Sequence, residues 1–109
     1  MTSGAWVRSA FWIGGCKTGV EEWFVSGINE TIVPALRAMP GVAAARALWP
    51  EKYEDSPPPV ACQLLVEFQS REDLDLMLAS KERKAMRPAV LALLELFEGS
   101  LSHIDYRVP

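Results

Sequence analysis

The single histidine of the chain, His103, stands two residues before Asp105 and four before Arg107 in the run HIDYRV. An imidazole titrates near neutral pH, so His103 is the natural candidate for proton transfer, with Asp105 as its carboxylate partner. Alternate residues on a strand share a face but stand about 7 Å apart, too far for Asp105 to hold the ring directly. The group that completes the site must then come from the first strand, Arg8 or Ser9, or from a second subunit. Arg8 and Arg107 offer guanidinium forks that match carboxylate or enolate oxygens. Trp6 and Trp12 flank Arg8 in AWVRSAFWI and present flat rings for stacking on an aromatic ligand. Gln63 adds an amide to the same candidate ligand-binding set, and Tyr53, in a proline-rich connection, is placed to cover a cavity as a lid. Structural alternatives stand beside these readings: a hydrogen-bonded interface histidine, arginines paired with Glu67 or Asp105 across strands, tryptophans that simply pack a dimer, and a Tyr53 that packs against the partner subunit.

Other chemistries find little support. Cys16 and Cys62 are far apart and match no metal or redox spacing. With one histidine and no cysteine pair, zinc, haem and iron–sulfur sites lack ligands, and no glycine-rich phosphate loop is present. The expectation is a protein that works without metal or cofactor. A net charge of −3 argues against nucleic acid, and no apolar run is long enough to cross a bilayer. The opening MTSGAWVRSAFWIGG lacks a basic leader and is interrupted by Arg8, so a cytoplasmic chain with reduced thiols is expected. The run KERK reads as a solvated helix face.

The elements that must position these groups follow from periodicity. The 109 residues suit one domain, 1–109. Residues 6–13 alternate as a strand and GGCKTG, 14–19, breaks it as a turn. From Val20 apolar residues recur at three and four: Val20, Trp23, Phe24, Gly27, Ile28, Thr31, Ile32, Ala35, Leu36 and Met39. Trp23 and Phe24 on this stripe read as core. Pro34 should bend the helix and Pro40-Gly41 end it. Strands follow at 42–49 and 60–68, joined by an extended connection over 50–59. SRED, 70–73, has the form of a capping box opening a helix that runs through the charged SKERK, until Pro88 breaks it or opens a second segment. Gly99 closes that helical region, and 101–108 is the last strand.

The order is βαββαβ, the ferredoxin-like split unit: an α+β fold with a four-stranded antiparallel sheet and both helices on one side. The apolar sets Val7, Phe11, Ile13; Cys62, Leu64, Val66; and Ile104, Tyr106, Val108 are expected to face the helices. The mixed sets Trp6, Arg8, Trp12; Gln63, Leu65, Glu67; and His103, Asp105, Arg107 would then lie on the open face. Large rings beside a few polar groups suit a small-molecule pocket, and a second copy of the chain would cover that face, giving a homodimeric barrel of two sheets.

In this arrangement the chain resembles the EthD-like family of the dimeric α/β-barrel superfamily. The likeness rests on the aromatic first strand before KTGVEEWF, on VPALRAMPGV, on LVEFQSREDLDLMLAS and on HIDYRV. It implies that the kinked helix end belongs to the scaffold beside the ligand cavity. The family typically has a histidine two residues before the proline corresponding to Pro34; here that residue is Ile32. The superfamily includes cofactor-free monooxygenases, muconolactone isomerases, polyketide cyclases and haem-dependent peroxidases. The expectation is a homodimer that binds a small apolar or aromatic metabolite. It would act either as a cofactor-free enzyme of proton transfer, cyclisation or oxygenation, or as a non-catalytic ligand-binding or accessory module.

Overall fold

Residues 5–109 are described by a computed structural model. Strand β1 (Ala5–Cys16) leads into α1 (Glu21–Ser26), a π-helical segment (Gly27–Ile32) and α2 (Val33–Arg37). Strands β2 (Ala44–Leu48) and β3 (Val60–Phe68) follow, then α3 (Arg71–Leu78), α4 (Lys81–Glu95) and β4 (Phe97–Val108). The sheet has the order β2-β3-β1-β4 with every neighbouring pair antiparallel. This is the ferredoxin-like arrangement, with the helices packed on one face.

The register corrects the faces expected for two strands. Directly opposed residues point to the same side of a sheet. Trp6, Arg8, Ala10 and Trp12 oppose Phe68, Val66, Leu64 and Cys62 of β3. They also oppose Arg107, Asp105, His103 and Leu101 of β4. Cys62, Leu64, Val66 and Phe68 are buried under the helices, so Trp6, Arg8, Trp12, His103, Asp105 and Arg107 lie on the helix side too. Val7, Phe11, Ile13, Ile104, Tyr106 and Val108 are on the open face. Strand alternation separates two sets of residues but does not say which set is covered, and on β1 both sets carry large apolar groups. Trp12 is 1% exposed and meets Phe24 and Phe97 edge-on at 5.1 and 5.4 Å between ring centroids. It is a centre of the core rather than a surface for stacking.

The proline that should kink the first helical region is accommodated by a change of winding. The Val33 amide donates to the Ile28 carbonyl, five residues back, and this wider turn relieves the crowding that Pro34 would impose on a carbonyl four residues back. Residues four apart, Phe24, Ile28, Ile32 and Leu36, form the buried line. Trp23 lies off it and is 72% exposed, against expectation. Gly27 lets α4 approach closely, since a Cβ there would come within 2.5 Å of Leu93 Cδ2.

Three boundaries also move. Ser70 caps α3 as expected, its Oγ accepting from the Asp73 amide at 3.1 Å. The break between the last helices falls at Ser80 instead of Pro88: Ser80 Oγ accepts from the Arg83 amide at 3.1 Å and donates to the Met77 carbonyl at 2.7 Å. Pro88 stays inside α4, on its exposed side, where the freed Lys84 carbonyl can bond water. Gly14 and Gly99 are neither turn nor helix stop; they oppose each other in the β1–β4 ladder. With φ of 129° and 147°, each occupies backbone space closed to other residues, and a Cβ on Gly99 would lie 1.9 Å from the Ile13 carbonyl oxygen.

Candidate functional site

A cavity of about 360 Å³ opens between the sheet and the helices, near the lower end of the range of ligand pockets. Its sheet wall is Arg8, Ala10 and Trp12 from β1, Leu64 and Val66 from β3, and Leu101 and His103 from β4. The helical wall comes from Ile32 and Leu36, from Met77 of α3, and from α4 between Arg83 and Leu94. The pocket therefore lies within one chain, on the helix side of the sheet. The expected location between two sheets is corrected by the register that turns Trp12 and His103 toward the helices.

Of the residues proposed from the sequence, His103, Arg8 and Trp12 meet in this wall. Arg8 Nη1 donates to both carboxylate oxygens of Asp105, at 2.9 and 3.1 Å. Asp105 is thus engaged by the opposing strand, as cross-strand pairing favours, rather than by His103. The His103 pKa lies below its ordinary value of 6.5. Desolvation at the cavity wall is the main cause, the Arg8 and Arg83 guanidinium groups push the same way, and Asp105 opposes them. Although its outer edge is exposed, His103 is held neutral at physiological pH and is available to accept a proton or a hydrogen bond.

The remaining candidates are placed elsewhere. Trp6 is on the helix side but packs under Arg71, whose guanidinium carbon lies 5.0 Å from the ring centroid. Gln63 is on the open face and donates to Ser9 Oγ at 3.1 Å. Tyr53 ties its own connection together by donating from its hydroxyl to the Val60 carbonyl. Arg107 opposes Trp6 at the exposed end of β4 and does not line the cavity.

The rim also holds basic residues of α4. Arg83, Lys84 and Arg87 line the cavity while staying exposed, so the solvated face read in KERK borders its mouth. Their signal was available: Arg83, Arg87, Val90 and Leu94 recur at four, three and four, so the basic heads share a face with the apolar stripe. Ile32 is 1% exposed and contributes to the wall, so the position where the EthD-like family typically carries histidine is apolar here. Both thiols are quiet. Burial pushes Cys62 up to about 12, and burial together with the Glu21 charge raises Cys16. Among the described residues no three His, Cys, Asp or Glu side chains gather in a metal-binding group, and no helix is long and apolar enough to cross a membrane.

An α+β protein with a ferredoxin-like sheet and a cavity beneath its helices is the class this architecture defines. No protein-family model matches the sequence, and no curated protein matches it. Solved structures do. An EthD family protein from Bacillus halodurans aligns over 97% of this chain and 99% of its own, with a TM-score of 0.73 and 12% identity. A dimeric protein of unknown function with a ferredoxin-like fold from Bacteroides fragilis covers 99% and 100%, with a TM-score of 0.63 and 17% identity. SnoaB, a cofactor-independent oxygenase from Streptomyces nogalater, covers 98% and 94%, with a TM-score of 0.61 and 15% identity. At such identities the likenesses establish the shared fold.

Proposed function

We propose that this protein is a homodimer that binds a small, largely apolar or aromatic metabolite in the cavity between its sheet and helices. The observation that carries this reading is the wall itself: Trp12, Ile32, Leu36, Leu64, Met77 and Leu94 surround a space of ligand size, with His103 beside it. The sister fold of SnoaB, a cofactor-independent oxygenase, supports a cofactor-free reaction on such a ligand, in which His103 accepts a proton from an acidic carbon or hydroxyl. Dimerisation is supported by the open sheet face, where Ile104, Tyr106 and Val108 are each more than 40% exposed, and by the dimeric neighbour from Bacteroides fragilis.

A second reading is a non-catalytic carrier or accessory module. It is favoured by the commitment of Asp105 to Arg8, which leaves His103 without an orienting carboxylate, and by the apolar residue at position 32. Calorimetric titration with 2-naphthol tests the shared premise. Binding to the wild type and its loss in Val90→Trp, which fills the cavity from a half-buried position, are expected. Equal binding by the filled variant would remove the cavity as the site. On a substrate found by screening, His103→Asn should stop turnover with the fold intact; unchanged turnover would remove His103 from the reaction, and ligands bound without any turnover favour the second reading.

A further inference from the structure

Resting on that cavity reading, we infer that the ligand is an amphipathic anion, an apolar or aromatic molecule ending in a carboxylate or enolate. Its charged end is held at the mouth by Arg83, Lys84 and Arg87. The chain as a whole is acidic, with a net charge of −3, yet among the described residues no Asp or Glu lines the cavity, while Arg8, Arg83, Lys84 and Arg87 all do. Of these, Arg8 is neutralised by Asp105. Among the described residues, Arg83, Lys84 and Arg87 form no ion pair; the other bridges are Lys52–Glu54 and Arg71–Asp75.

The helix places these cations where their charge is useful. Arg83 and Arg87 lie one turn apart on α4, directly above Val90 and Leu94, whose side chains continue down the same wall. Long basic stems cover the apolar lip while their heads stay in water. An anion entering there meets concentrated positive charge at the rim and apolar surface below, a polarity that a neutral hydrocarbon would leave unused. Two neighbouring guanidinium groups suit the planar, two-oxygen end of a carboxylate or enolate.

Titration with 1-naphthoate and its neutral counterpart 1-naphthamide separates this inference from the reading beneath it. Both should bind the wild type, and naphthoate about tenfold more tightly at low salt. Added salt should erase that advantage and leave the amide unaffected. In Arg83→Gln/Arg87→Gln the two compounds should bind alike; both positions are exposed, and a thermal melt checks the fold. Equal affinities in the wild type, or a preference that survives both salt and the double variant, overturn the anion inference while the apolar cavity stands. Binding of neither compound overturns the cavity reading and this inference together. Should the double variant not fold, the wild-type salt dependence decides alone: a salt-insensitive preference counts against the proposal.

Discussion

His103 carries the clearest consequence of local environment. Its folded pKa is below 6.5, so as pH falls through that value the unfolded chain takes up the proton first. The sign follows from linkage: stability associated with neutral His103 is present above about pH 6.5 and is lost as pH drops toward the folded pKa. His103→Gln should therefore flatten the acid side of the melting-temperature profile, measured by circular dichroism against the wild type. An unchanged profile would mean that the ring is not desolvated by the cavity wall. Gly99 supplies a second test. Alanine there would be forced into the φ of 147° with its Cβ against the Ile13 carbonyl, so Gly99→Ala should cost about 2 kcal/mol or more in denaturant unfolding.

At the level of elements, the helical wall depends on two junctions. Ser80 both caps α4 and bonds back to Met77, at the end of α4 whose Arg83 and Lys84 line the cavity. Ser80→Ala should lose about 1–2 kcal/mol of stability and weaken naphthoate binding more than the loss of stability alone implies. A variant with full stability and full affinity would show that the junction is held by packing instead. The other junction is the π segment, which turns Ile32 into the cavity one residue before α2 begins. Gly27 locks that segment against Leu93 of α4, so the wall is a pair of elements in close register.

At the scale of the molecule, cavity and open sheet face are on opposite sides, and substitutions can separate them. Tyr106→Asp or Phe11→Asp, on the open face, should shift sedimentation toward monomer while ligand affinity holds. Each would place a charge in the apolar centre of the proposed interface. Trp12→Asp should instead unfold the chain, because Trp12 is buried between Phe24 and Phe97. A wild type that is monomeric at micromolar concentration would remove the dimer from the proposal without touching the cavity, which lies between the sheet and the helices of one chain.

Local pattern was enough for the βαββαβ order, the bounds of β3, the Ser70 cap and the extended connection after β2, because each depends on residues near one another along the chain. Position in space was not. The alternation of β1 and β4 defined two sets of side chains, but only their pairing with Cys62, Leu64 and Val66 chose which set met the helices. That choice moved His103, Arg8 and Trp12 together from a supposed interface to the wall of a cavity within the chain. The basic residues of α4 were legible as a helical stripe, yet their role depended on what faced them. Hydrophobic periodicity records that a face is covered; only packing determines which surface covers it, and so where the site lies.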